Sequence, residues 1–133
     1  MEKLAPHVWK LNVDSNAYLL ELKEWVVIDT GPASAKGEVR AGIECVVPLG
    51  KITKVLFTHL HFDHIGNFDL FPKADFFASP REIQALGQNR MFSILDAATA
   101  AGFSPKLQPL KDMLGLAVVK TPGHSPGSVC LWY

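Results

Sequence analysis

Three of the chain's five histidines fall within six positions, in Thr58-His59-Leu60-His61-Phe62-Asp63-His64-Ile65-Gly66. Imidazole nitrogens are good ligands for borderline metals such as zinc, and the aspartate among them adds negative charge and a base. If the segment stays extended, His59, His61 and Asp63 point to one side. A lone loop histidine is more often a turn or capping residue, but three with an aspartate on one strand-end loop favour a metal. His124 stands in Thr121-Pro122-Gly123-His124-Ser125-Pro126-Gly127-Ser128, where two prolines and two glycines hold the backbone out of regular structure. By itself it reads as a turn residue. Joined to the first cluster it supplies the third nitrogen of a tetrahedral site and leaves one position open for water. Asp29 ends an apolar run and has two readings. It caps a helix beginning near Ser34 or closes a turn, or its carboxylate orients a metal-bound histidine.

These residues need elements to hold them. Trp25-Val26-Val27-Ile28 reads as a buried strand ended by Asp29-Thr30-Gly31-Pro32. Ser15 to Leu22 reads as another, and His7 to Leu11 alternates weakly, so the chain is expected to start antiparallel. Residues Ala35, Val39, Ile43, Val46 and Val47 fit one face of a helix over Ser34 to Val47, stopped by Pro48 and Gly50. Ile52 to Thr58 is a strand leading straight into the histidine cluster, and Phe76 to Ala78 is a short one. Ser79, Pro80 and Glu82 form a helix start, with serine as cap, proline in the first turn and glutamate closing a capping box; Gly87 ends that helix. Met91 to Ala101 reads as a second helix closed by Gly102. Leu116 to Lys120 and Ser128 to Tyr133 are strands flanking the Pro/Gly loop. Mixed strands and helices without repeats or linkers give an α/β or α+β class.

The 133 residues fit one domain, 1–133. Hydrophobic residues make up 48% and charged ones 20%, an ordinary globular balance. Thirteen basic residues offset thirteen acidic ones, which argues against a nucleic-acid partner. No apolar run approaches the roughly 20 residues that span a bilayer, so no membrane partner is expected. The N-terminus lacks the apolar core of a signal peptide. Cys45 and Cys130 lie far apart, and buried free thiols in a reducing, cytoplasmic setting are expected.

Together the motifs resemble a known family. THLHFDHIG resembles the HxHxDH signature of the metallo-β-lactamase superfamily, TPGHSPGS its next motif, and VVIDTG the strand-end motif before both. All three occur in the family's order, from about Asn16 to Tyr133. The resemblance implies a four-layer αββα fold with a metal site at one edge of two packed sheets. It implies that His59, His61 and His124 bind a first metal, that Asp63 and His64 bind a second, and that Asp29 supports them. Members usually add a bridging carboxylate and a last histidine further on. Neither Asp96 nor Asp112 fits that order, and no histidine follows His124. The reading is therefore of a complete N-terminal part and an incomplete C-terminal half.

The implied activity is that of a metal-dependent hydrolase, in which a metal-bound hydroxide attacks a small ester, thioester or lactone, with Asp63 as catalytic residue holding the nucleophile or moving protons if the second metal is absent. Zinc is the expected cofactor, one ion held tightly and a second weakly, with iron or manganese as alternatives. HFDHIG resembles the lactonase version of the motif. Two competing readings are a metal-binding fragment or inactive domain completed by a partner chain, and a mononuclear iron oxygenase of the same fold. The apolar strand Ser128 to Tyr133 is expected to leave an edge needing cover, which suits a homo-oligomer.

Overall fold

Adjacent residues in the strands are apolar in pairs, and a strand turns successive side chains to opposite faces. Leu19, Val27, Val55 and Phe76 join one core cluster, whereas Leu20, Val26, Leu56 and Phe77 join another. The sheet that carries them must therefore be covered on both sides. A computed structural model, describing residues 1–88 and 93–133, shows how.

Seven strands form one sheet in chain order: β1 (Glu2–Ala5), β2 (Val8–Val13), β3 (Ser15–Glu21), β4 (Trp25–Ile28), β5 (Ile52–Leu56), β6 (Asp75–Ala78) and β7 (Leu107–Pro109). β1 to β4 pair antiparallel and β4 to β7 parallel. Helix α1 (Lys36–Glu44) links β4 to β5, the short α2 (Phe62–Ile65) follows β5, and α3 (Pro80–Gly87) and α4 (Ile94–Gly102) link β6 to β7. The first core cluster joins the sheet to Val39 and Ile43 of α1 and Ile65 of α2, with Ile83 and Leu86 of α3 packed against it. Burying side chains such as Phe57 and Phe71, both fully covered, stabilises this face by about 1.5–3 kcal/mol each. On the opposite face an antiparallel hairpin, β8 (Ala117–Lys120) and β9 (Val129–Trp132), packs Leu116 and Val129 onto Leu20, Val26, Ile28 and Leu56. Helices, sheet and hairpin make three successive layers of the expected αββα order, the second sheet being represented by β8 and β9.

The antiparallel start and the strands before and after α1 lie where the hydrophobic pattern places them. Two strands carry no such pattern. β1 is exposed throughout, and β7 is a three-residue edge ending in Pro109, a position where the missing amide hydrogen costs no central ladder bond. The first helix is shorter than Ser34 to Val47, because Ala33–Ala35 form a separate 3-10 turn and the helix ends at Glu44. Of the helix read over Met91 to Ala101, Met91 and Phe92 lie outside the described residues; α4 begins at Ile94, with Ser93 accepting the Asp96 N–H as cap. Both cysteines correct the expectation of burial: Cys45 and Cys130 are exposed free thiols. Cys130 lies on β9 with Trp132, which is 74% exposed. Among the described residues no helix is long and apolar enough to cross a membrane.

A candidate metal centre at the ends of three parallel strands

In open α/β sheets ligands collect beyond the carboxyl ends of parallel strands, where loops and helix starts converge. Three neighbouring strands deliver chemistry to that edge. β4 ends into Asp29, β5 into Thr58 to His64, and β6 into Ser79 and Glu82. The hairpin brings the fourth contribution. The Val129 N–H donates to the Thr58 carbonyl at 3.0 Å, so the loop before β9, which carries His124, lies against the end of β5.

His59 follows β5 outside regular structure, His61 is extended, and the chain turns helical immediately beyond. His61 sits at the N-terminal boundary of α2, and its carbonyl accepts from the His64 N–H at 2.9 Å. Asp63 is therefore helical and does not continue an extended row with His59 and His61, which corrects the sequence expectation. Its carboxylate lies 3.6 Å from His64 Nε2. The imidazoles converge nevertheless. Ring centroids are 4.6 Å apart for His59 and His61, 4.9 Å for His59 and His124, 4.6 Å for His61 and His124, and 4.1 Å for His59 and His64. One nitrogen from each of His59, His61 and His124 lies within 4.8 Å of the others, and His61 Nδ1 is 3.0 Å from His124 Nε2. Tetrahedral zinc with 2.0–2.1 Å bonds would set such nitrogens roughly 3.3 Å apart, the same scale. His59 Nε2 is buried without a hydrogen-bond partner, a cost that a cation in the cluster would remove. The donor set thus fits a metal, and His59 is held in the neutral form that ligation requires. Burial, with His64, His61 and His124 close by, lowers the pKa of His59 to about 3.

Asp29 sits behind the histidines in left-handed backbone, φ 57°, which aspartate tolerates better than most residues. It does not cap α1, whose N-terminal boundary residue is Ala35 and has no side-chain cap. One carboxylate oxygen accepts the Thr58 N–H at 2.9 Å; the other accepts the Thr58 hydroxyl at 2.6 Å and lies 2.9 Å from His64 Nδ1. Thr58 Oγ1 in turn lies 3.0 Å from His59 Nδ1. Burial by itself would lower the His64 pKa, but the hydrogen bond and charge of Asp29, with Asp63 adding to them, outweigh it and raise it.

Two acidic residues escaped sequence reasoning. Glu82 accepts nothing at its own helix start. Ser79 does cap the Glu82 N–H, at 3.3 Å, but the Glu82 carboxylate turns into the core and accepts the N–H groups of Leu60 and Gly127, both at 2.9 Å, and the Ser125 hydroxyl. The capping box is therefore half formed. Asp96 accepts the Phe62 N–H at 2.8 Å and the Ser93 hydroxyl at 2.6 Å. Against burial, these bonds and the nearby His61 and His59 lower its pKa. Both residues occupy Ser-x-x-acid helix starts, and that spacing accounts for them locally without signalling their second contact. A cavity of about 650 Å³ beside Phe68, Phe71, Lys106 and Gln108 has none of these site residues in its lining.

The His59 shift has a consequence for the metal-free chain. Unfolding restores a pKa near 6.5, so the unfolded state binds more protons between that value and about 3. Stability is then fully present above pH 6.5 and falls on acidification, by up to about 1.4 kcal/mol per pH unit from this group. Urea titrations of chelator-treated protein between pH 7 and 4 check the sign; stability rising towards pH 4 would contradict it.

The sequence profile of the metallo-beta-lactamase superfamily matches residues 12–133. The chain belongs to that superfamily. As a superfamily member it is 28% identical over 111 residues to a protein named probable metallo-hydrolase from Methanocaldococcus jannaschii, covering 81% of this chain and 46% of the relative. It is 34% identical over 131 residues to the uncharacterized protein YobT of Bacillus subtilis, covering 86% and 54%. Among solved structures, a metallo-beta-lactamase with a HARLDQ motif from Cronobacter sakazakii superposes with a TM-score of 0.76 at 25% identity, over 95% of this chain and 54% of that one. The αββα sandwich is thus the family's, and the chain spans about half the length of the relatives it matches.

Proposed function

We propose that the chain is the metal-binding part of a hydrolase acting on a small ester, thioester or lactone. The observation that carries this reading is the convergence of His59, His61 and His124, from two loops more than 60 positions apart, on one point where His59 presents a buried nitrogen without a hydrogen-bond partner. These three residues would hold the first metal, zinc in this reading, and Asp63 and His64 a second, weaker one. A metal there supplies Lewis acidity that brings a water's pKa towards about 7 and polarises a carbonyl. The chain's own groups do the rest. Thr58 and Asp29 fix the rings of His59 and His64. Asp63, partly exposed in the first turn of α2 with its carboxylate 3.6 Å from His64 Nε2, would take the released proton where the second metal is absent. The balanced charge suits an uncharged substrate better than a phosphate backbone.

The test is elemental analysis and a hydrolysis screen on the purified 133-residue chain with thioesters, lactones and phosphodiesters. About one tightly held zinc per chain is expected to survive dialysis. Asp63→Asn is expected to lower turnover by about 10²–10⁴-fold with an unchanged circular dichroism spectrum. Loss of folding instead would make Asp63 structural, and iron with oxygen consumption would replace the hydrolase reading by an oxygenase.

A further inference from the structure

We infer that Glu82 is a positioning residue, its buried carboxylate latching the loop of His124 onto the loop of His59 and His61; this rests on the metal-centre reading above. Glu82 is 3% exposed and touches the backbone of both loops. Leu60, whose N–H it accepts, lies between His59 and His61, while Ser125 and Gly127, which supply the other two donors, come one and three residues after His124. Three donors converging on one side chain need an acceptor at both ends. A carboxylate offers that, whereas a glutamine presents an NH2 group to one of the donors.

A second observation points to the same latch. A Cβ on Gly127 would lie 2.5 Å from Ser79 Oγ and 2.6 Å from the Glu82 nitrogen, so bare backbone is needed for the loop to seat on the first turn of α3. The Ser79 hydroxyl donates to the Gly127 carbonyl at 2.6 Å at the same place. The loop's other backbone bonds, Gly123 N–H and Ser128 N–H to the Ser125 carbonyl and Thr121 N–H to the Ser128 carbonyl, are internal and hold its shape without placing it. His124 itself is exposed, so packing does not hold it against His61. The Val129 N–H bond to the Thr58 carbonyl fixes only the loop's far end, so the approach of His124 depends on what anchors Ser125 and Gly127.

The experiment measures zinc affinity by chelator competition for the wild-type chain, Glu82→Gln, Ser125→Ala, His124→Ala, and each of the first two variants combined with His124→Ala. Glu82→Gln is expected to bind zinc about 10–100-fold more weakly with an unchanged circular dichroism spectrum, Ser125→Ala less so in the same direction. Neither should weaken binding further once His124 is gone, because the latch acts through that histidine. Unchanged affinity in the single variants, or an undiminished loss in the His124→Ala background, would overturn the latch. Should Glu82→Gln fail to fold, the Ser125→Ala pair decides by the same criteria. Should the wild-type chain take up no zinc, the metal-centre reading fails by itself. Amide exchange in Glu82→Gln, or in Ser125→Ala if the former is unfolded, then judges the latch: faster exchange at Gly127 supports it and unchanged exchange refutes it.

Discussion

Gly66→Ala is expected to destabilise the chain by about 3 kcal/mol or more, the upper end of what overpacking costs, and to lower the melting temperature by about 10 °C. The backbone there is ordinary right-handed helix, φ −65°, so conformational strain is not the reason. Space is. A Cβ would stand 2.2 Å from the Ala33 nitrogen, 2.6 Å from the Pro32 carbonyl carbon and 2.8 Å from the Gly31 oxygen, all main-chain atoms that cannot rotate away. The same approach carries a set of bonds tying α2 to the turn after β4. Gly66 N–H donates to the Gly31 carbonyl at 2.9 Å, Thr30 N–H to the His64 carbonyl at 2.7 Å, and the Asn67 amide to the carbonyls of Thr30 and Pro32 at 2.7 and 2.8 Å. Asn67 and Thr30 are fully buried, so parting the segments would strand these groups away from water. Thermal unfolding with and without the substitution tests this, and an unchanged midpoint would show that the two segments do not sit so close.

His124→Ala is expected to do the reverse, abolishing function while sparing the fold. The side chain is exposed on an irregular loop, and surface substitutions of this kind stay within about 0.5 kcal/mol. Its imidazole is nevertheless one of three nitrogens at the proposed centre. Zinc affinity should fall by more than the roughly 10–100-fold typical of losing a group that merely orients a ligand, and hydrolysis should vanish with it. Titration calorimetry with zinc, beside a urea unfolding curve, separates the two effects. Retained affinity would place the third nitrogen elsewhere.

The pairing of these substitutions marks what local sequence can reveal. The spacing of His59, His61 and His64 after an apolar strand announces a ligand cluster because those residues are close along the chain, and the doubled apolar pairs of β3 to β6 announce a sheet covered on both faces. Both are short-range patterns with short-range causes. β1 and β7 have no such pattern, since an edge strand is recruited by its neighbour's free backbone groups. The exposure of Cys130 follows from β9 packing only one face on the larger sheet. Asp63 left the extended row because α2 begins one residue earlier, held there by Asp96 and Thr30, which come from distant parts of the chain.

Only the tertiary structure decided which distant groups meet. The sequence by itself determined that three histidines and an aspartate stand at a strand end, that a fourth histidine stands in a rigid Pro/Gly loop, and that Asp29 closes a buried strand. Their convergence needs the parallel pairing of β4, β5 and β6, which brings three loops to one edge, and the packing of β9 on the opposite face, which carries His124 across. Glu82 shows the limit most plainly. As a sequence position it is the acidic member of a helix cap. In the fold it is a buried acceptor for two loops, because burying a carboxylate is tolerable only where several donors meet it, and that meeting is a property of three dimensions.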